Sequence, residues 1–354
     1  MAEENPFCER LLSLERRAVK RRLDVVLLFG EANIRSLADV VCDNGCLVVR
    51  PGMPPVFITD FRYVPMARRT VPWLKIVQLR RGNTFAEALK PLLGCGVRRI
   101  GYEGSIATSR YLALRKDFRK ATFVDVSDDV LALRAVKTLP EIAKITEAAT
   151  LNDEIWSMAR REIRSGMTEK EIQRVIRGFM NALGDGEAFE TIVCVGANAA
   201  ECHHVPDGTV WRRGDPLLVD LGVKLDGVCS DMTRCIKGTS REYRDVYSTV
   251  LEANLAALAA AKPGMTCGAL DRVARDVIRK AGYGKAFGHS LGHGVGYEIH
   301  EEPTARPNSK TVLEPGMFVT IEPGIYLEGR LGVRIEDLAL ITPDGCRAVT
   351  RSSK

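Results

Sequence analysis

Three of the five histidines, His289, His293 and His300, fall in one glycine-punctuated stretch, Gly284-Lys-Ala-Phe-Gly-His-Ser-Leu-Gly-His-Gly-Val-Gly-Tyr-Glu-Ile-His-Glu-Glu-Pro303. The other two, His203 and His204, stand side by side upstream. Imidazole is the usual proton carrier at neutral pH and a common transition-metal ligand, so histidines confined to one half of a chain point to a single site. Gly288, Gly292, Gly294 and Gly296 would let backbone approach that site closely. Neither G-x-x-x-x-G-K-[ST] nor G-x-G-x-x-G occurs in the stretch, which argues against a phosphate loop. Two readings remain. His289 and His293, four residues apart, could sit on one helical turn and be satisfied by carbonyl groups, and His204 has the same structural alternative. The other reading is a metal site, which needs acidic partners.

Such partners exist. Asp220-Leu-Gly-Val-Lys-Leu-Asp-Gly-Val-Cys-Ser-Asp231 reads as a β-hairpin, with Asp226-Gly227 as its turn signal. A turn centred on Leu225-Asp226 sets Asp220 opposite Asp231; one centred on Asp226-Gly227 sets Asp231 opposite Gly222. Both registers leave the two carboxylates on one face, because side-chain facing repeats every two residues. Their repulsion calls for a cation. Glu322, in Val319-Thr-Ile-Glu-Pro-Gly, and Glu336, in Gly332-Val-Arg-Ile-Glu-Asp-Leu, are acids inside apolar strands, where an unpartnered carboxylate is costly. Four carboxylates and an imidazole make an oxygen-rich set suited to Mn²⁺, with Co²⁺, Fe²⁺ and Zn²⁺ as alternatives. Two ions roughly 3.5–4 Å apart and bridged by carboxylates would use the whole set.

The elements that must position these groups divide the chain into two domains. Residues 1–135 alternate short apolar runs (Asp24–Gly30, Cys46–Val49, Val56–Thr59, Ile76–Leu79, Ile100–Tyr102) with helical patterns, beginning with an amphipathic helix over 8–22. That alternation predicts an α/β domain. Residues 136–354 predict a long helix from Pro140 and a second from Thr168, with Glu171 completing a capping box. Strands follow near 190–195 and across 217–236, then helices over 241–261 and 268–281 and strands over 317–326 and 332–341. No solenoid-length repeat is visible.

The net charge of +6 splits unevenly, as +8 over residues 1–135 and −2 over the remainder. The basic residues are scattered doublets such as Arg80-Arg81 and Arg98-Arg99, so a solvated face is expected rather than a nucleic-acid surface. No run approaches the roughly 18 apolar residues of a membrane span. The acidic start, Met-Ala-Glu-Glu-Asn-Pro, has no apolar core of a signal peptide. Ten cysteines without a C-x-x-C pair suit a reduced, cytoplasmic protein.

Taken with their spacing, these motifs closely resemble the "pita-bread" metallopeptidases, the family of prolidase (Xaa-Pro dipeptidase) and aminopeptidase P. The resemblance is strongest over 190–345 and looser upstream, where Ile58-Thr-Asp-Phe-Arg-Tyr63 matches best. It implies an α/β domain of the creatinase/prolidase N-terminal type over 1–135, serving dimerisation and substrate gating, and a pita-bread catalytic domain over 136–354. It implies that Asp220 chelates one metal ion, that Asp231 and Glu336 bridge two, and that His293 and Glu322 hold the second. His203, His300 and Glu322 are implied as catalytic, and His289 and Arg334 as lining the substrate pocket. A homodimer acting on proline-containing peptides is implied too.

This chain departs from the family pattern in places. Thr304 stands where related prolidases often carry Arg to receive a dipeptide's carboxylate, and Arg306 follows two residues later as the possible substitute. Cys202 replaces a common proline before His203, and Asn33-Ile-Arg-Ser-Leu-Ala-Asp-Val40 departs from the usual upstream motif. Thr304 tilts the expectation toward an Xaa-Pro aminopeptidase, with an Xaa-Pro dipeptidase as the alternative. Creatinase-like C–N hydrolysis dispenses with the metal set, methionine aminopeptidase lacks the extra N-terminal domain, and a non-enzymatic binding module would be expected to have lost ligands.

Overall fold

The computed structural model describes residues 6–354 apart from Cys95. The acidic start over residues 1–5 therefore lies outside the described residues. The chain divides into two compact units, with the boundary between Arg134 and Ala135.

The first unit is built on a six-stranded sheet in the order Lys75–Gln78, Met53–Thr59, Gly45–Arg50, Val25–Leu28, Arg99–Tyr102 and Thr122–Asp125. The strand Val25–Leu28 is buried on both faces, as an unbroken Val-Val-Leu-Leu run requires of a central strand. Two apolar clusters cover the sheet's faces, one around Leu14, Leu28 and Phe57, the other around Val25, Ile58 and Leu89. The opening helix runs Pro6–Lys20, slightly earlier than its apolar pattern suggests.

The second unit repeats one plan twice. Leu139–Glu162 and Glu169–Leu183 form the first helix pair, Arg241–Ala260 and Cys267–Lys280 the second. The second helix of each pair is entered through Gly-Met-Thr, at residues 166–168 and again at 264–266. Both glycines have positive φ, 104° for Gly166 and 82° for Gly264, and both threonines cap their helix through the side chain. Thr168 bridges to Val210 and Thr266 to Val312, antiparallel in each case. This is an internal duplication, and the Gly-Met-Thr pair is its trace in the sequence.

Each half then supplies a bent hairpin. In the first, Leu217–Leu221 pairs with Met232–Ile236, and Val223–Leu225 with Val228–Cys229. Asp226 (φ 49°) and Gly227 (φ 71°) make the turn, so the Asp226-Gly227 register is the one adopted. Asp220 lies opposite Thr233, and the same register carried inward sets Asp231 across from Gly222. In the second, Phe318–Ile321 pairs with Asp337–Thr342, and Gly324–Leu327 with Leu331–Arg334. The register is identical on both sides of the gap, from Ile321 opposite Asp337 to Gly324 opposite Arg334. Glu322 and Glu336 therefore face one another across the break. Both acids were expected inside apolar strands, Glu322 just before its strand stops at Pro323-Gly324; instead each occupies an interruption, where a ladder gives up its pairing and a carboxylate can turn inward.

Two buried asparagines tie helices to these breaks. Asn152 donates to Leu221 O at 2.9 Å, and Asn254 donates to Ile321 O at 2.9 Å and Ile335 O at 3.3 Å. Replacing Asn152 with Ala removes the donor that meets Leu221 O in a site closed to water. The expected cost is about 1–3 kcal/mol, read as a lower urea midpoint at unchanged m.

Candidate metal centre

The hairpins deliver their acids to a common point. Ligand atoms of Asp231, His293 and Glu336 all lie within 4.8 Å of one another. His293 Nε2 is 3.6 Å from Asp231 Oδ2 and 3.4 Å from Glu322 Oε1. Asp220 meets the group from the adjoining strand, its Oδ2 2.6 Å from Arg334 Nη2. His293 is not helical: it lies in the strand Gly292–Gly294, next to Phe318–Ile321. Gly292 is obligatory there, because a Cβ would fall 1.8 Å from Thr320 O.

Hydroxyl groups aim the carboxylates. Thr233 Oγ1 donates to Glu336 Oε2 at 2.7 Å and accepts from Arg334 Nε at 3.0 Å. Thr320 Oγ1 donates to Glu322 Oε1 at 3.1 Å and accepts from His293 N at 3.0 Å. His293 Nδ1 meets Gly294 O at 3.1 Å, which leaves Nε2 facing the acids.

The electrostatics mark a place built for cations. Burial raises the Asp231 carboxyl well above its ordinary pKa, and Glu336, Asp220 and Glu322 add to the shift. Burial also raises Glu336 strongly, with Glu322 and Asp220 contributing. Glu322 is pushed up to about 8, mainly by burial, with Arg334 working against the rise. His293 is depressed to about 4, first by burial, so the ring is neutral and can donate a lone pair. Asp220 Oδ1 and Asp231 Oδ1 are buried without a hydrogen-bond partner. Like charges and orphaned acceptors at one point fit divalent ions.

The remaining predicted residues form a rim. The His300 and His293 rings stand edge to face with centroids 4.4 Å apart. His289 Nε2 meets Tyr326 Oη at 2.8 Å, and Arg334 Nη1 donates to the same hydroxyl at 3.1 Å. Burial first, then neighbouring cations including His203, lowers His289 to about 4. His203 is exposed and close enough for its charge to bear on both His289 and His300. Its loop is held down at Gly332, where a Cβ would fall 1.7 Å from Ala199 O. Arg306 is exposed beyond the strand Glu301–Ala305. Thr304 bonds back to the Glu302 carboxylate through its N–H (2.9 Å) and its hydroxyl (3.1 Å).

Thr233, Thr320 and Tyr326 escape a reading of the sequence alone. Each sits two to four residues from a ligand acid on the same strand or its continuation, which is the only signal they carry.

The pattern of metallopeptidase family M24 matches residues 143–343, more than half of the chain. The chain belongs to metallopeptidase family M24. The creatinase/prolidase N-terminal domain matches residues 10–136. This M24 member is similar to the Xaa-Pro dipeptidase of Pyrococcus furiosus, 34% identical over 350 residues that cover 98% of this chain and 99% of that one. Among solved structures, the Xaa-Pro dipeptidase from Bacillus anthracis superposes with a TM-score of 0.93 at 37% identity, covering 98% of both chains. The X-Pro aminopeptidase from Thermotoga maritima gives 0.86 at 33% identity, covering 95% of this chain and 98% of that one. The fold is thus a creatinase/prolidase N-terminal domain followed by a pita-bread catalytic domain, and the M24 centre takes divalent metal.

A second group, Glu169, His204 and Asp207, also brings potential ligands together. Its chemistry differs. Glu169 is fully buried, and its oxygens already accept from Val195 N (2.6 Å), Asn198 Nδ2 (3.0 Å) and Asp207 N (3.0 Å), with His204 Nε2 at 2.8 Å. Donors, not a cation, satisfy it. His204 thus closes a structural network under the loop that carries His203. Burial opposes charge on His204, but the bonds and charge of Glu169 outweigh it, so its pKa is raised. A raised folded-state pKa stabilises below the ordinary histidine value of about 6.5 and is lost as pH rises through the raised value. His204→Gln should therefore lower the denaturation midpoint more at pH 5.5 than at pH 8.5. Equal losses at both would mean that His204 is held neutral.

Proposed function

We propose that the chain hydrolyses Xaa-Pro dipeptides with two divalent metal ions held by Asp220, Asp231, His293, Glu322 and Glu336, Mn²⁺ being the expected ion. The observation that carries this reading is the convergence of three carboxylates, Asp231, Glu322 and Glu336, from two hairpins on the neutral ring of His293, with the buried carboxylate of Asp220 adding its charge to the group. The names of its relatives support the dipeptide over the longer substrate that Thr304 suggested, because Xaa-Pro dipeptidases predominate among those named for a substrate. The similarity to an X-Pro aminopeptidase keeps that activity as the second reading.

Bound metal would supply a Lewis acid for the scissile carbonyl and a water activated at neutral pH. The residues around it do the rest. Glu322, whose environment favours a shared proton, takes the proton from the attacking water and passes it on toward the leaving nitrogen. His300, edge to face with His293, faces the developing oxyanion and donates to it, and His203 assists proton delivery. His289, Tyr326 and Arg334 form a bonded wall that fixes one side of the pocket. Proline nitrogen carries no N–H in the scissile amide, so recognition falls on ring shape and on the carboxylate that follows. In a dipeptide that carboxylate needs a cation, and Arg306 is the candidate among the predicted residues, because burial lowers His289 and His300 toward their neutral forms.

A homodimer in which residues 1–135 gate access, and a cytoplasmic location, belong to the same proposal. No helix among the described residues is long and apolar enough to cross a membrane, and the nine described cysteines are free thiols. Light scattering tests the assembly.

Asp231→Ala should lose activity and metal together, because the carboxylate that serves both ions is gone. Two tightly held ions per chain in that variant, by elemental analysis, would contradict the assignment. A substrate-length series decides between the two activities: Xaa-Pro should exceed Xaa-Pro-Xaa in kcat/KM by about tenfold or more, the worth of one charge-assisted hydrogen bond. The reverse order would return the reading to an aminopeptidase.

A further inference from the structure

Behind the centre, on the side away from the histidines, lies a buried polar network that the mechanism does not use. At the break in the second hairpin the ladder leaves carbonyls next to Glu322 and Glu336 to be satisfied otherwise. Asn254 donates to Ile321 O and Ile335 O, the residues directly before the two acids. Arg234, with its side chain 2% exposed, donates to Glu336 O and Thr233 O and pairs with Asp337 Oδ1 at 2.8 Å. Glu336 N in turn donates to Thr233 O at 3.2 Å.

Both side chains are oriented by residues 351–354. Lys354 Nζ lies 2.6 Å from Asp337 Oδ2 and donates to Asn254 Oδ1 at 2.9 Å. The second bond decides which way the Asn254 amide faces: with Oδ1 on the ammonium, Nδ2 must point at the two carbonyls. Ser352 O accepts from Arg234 Nε at 3.0 Å. The segment itself is clamped by Asp153 on the helix Leu139–Glu162, whose oxygens accept from Arg351 N at 2.6 Å and Ser352 N at 2.7 Å. A charge as well enclosed as Asp337, 1% exposed, needs both cations to offset its desolvation.

We propose that Arg351–Lys354 is a positioning element of the metal centre, with Lys354 and Ser352 holding the backbone on which Glu322 and Glu336 are mounted. It rests on the assignment of those two acids as metal ligands. Undocking the segment frees the Asn254 amide to flip and leaves Arg234 short of an acceptor, so the two carboxylates lose their fixed separation. Metal affinity then falls before the fold does.

Titration of chelator-stripped protein with Mn²⁺ alone tests this. Lys354→Met, which keeps the side-chain length and removes the charge, should weaken Mn²⁺ binding by about 10- to 100-fold, the usual cost of losing an outer hydrogen-bond partner of a metal ligand. Lys354→Arg should restore most of it. In the metal-free protein, amide exchange over 335–338 should quicken in the Met variant and not in the Arg variant. Should Lys354→Met fail to fold, Asp153→Ala loosens the segment without touching the network and should weaken Mn²⁺ several-fold. Wild-type Mn²⁺ affinity in Lys354→Met or Asp153→Ala, with only a lower Tm, would overturn the proposal and leave the segment a stabilising tail. Glu336→Ala is the control for the premise: unchanged Mn²⁺ binding there would refute the ligand assignment, whatever Lys354→Met does.

Discussion

Mutual repulsion among buried carboxylates is the constraint on which the second unit turns. Asp220, Asp231, Glu322 and Glu336 cannot all ionise in a closed space without cations, and the raised pKa values of Asp231, Glu322 and Glu336 record burial and that conflict together. A fold that tolerates it must be stiff, because four acids free to move would swing apart into water. Stiffness comes from mounting each pair on a hairpin whose register is fixed on both sides of a break, and from pinning the break with side chains rather than ladder bonds. The strain of assembling the acids is thus opposed by hydrogen bonds from Thr233, Thr320, Asn254 and Arg234. Divalent ions turn the same repulsion into attraction.

Duplication explains why the acids arrive in pairs. One helix pair and one bent hairpin supply two carboxylates, which suffices for neither the charge nor the geometry of a centre bridging two ions. Repeating the unit with Gly166-Met-Thr168 and Gly264-Met-Thr266 as matching entries brings a second hairpin against the first. The two copies then diverge: aspartates on one, glutamates on the other, with His293 contributed by the second half alone. Shorter and longer side chains from opposite sides let acids on separate hairpins converge on one volume.

Much of this was legible in the residues, for reasons that can be stated. The Asp226-Gly227 signal placed the first hairpin and narrowed it to two registers, and the one adopted puts both residues at positive φ, which few residue pairs accept. Pro140 and the capping box at Thr168 placed two helix starts for a similarly local reason. What escaped was non-local. Pro323-Gly324 mark a stop beside Glu322, but nothing near Glu336 marks the matching interruption fourteen residues later. The sequence alone leaves an internal duplication open as too diverged to read, because its Gly-Met-Thr entry is only three residues long. His204 was undecidable from spacing, since its partner Glu169 lies 35 residues upstream.

Two adjacent histidines illustrate how the fold assigns roles that composition leaves equal. His203 and His204 differ by one position: His203 sits in the turn that His204 N closes on Glu201 O at 3.1 Å, and His204 leaves it. His204 turns inward to a carboxylate already crowded with donors, where protonation strengthens the loop's anchorage. His203 turns outward, free of that network, toward His289 and His300. The anchor therefore limits where its neighbour can go, as the role proposed for His203 requires: an exposed imidazole on a loose loop would sample many positions. The same logic runs through the centre, where a hydroxyl holds each glutamate, Thr320 beside Glu322 and Thr233 beside Glu336.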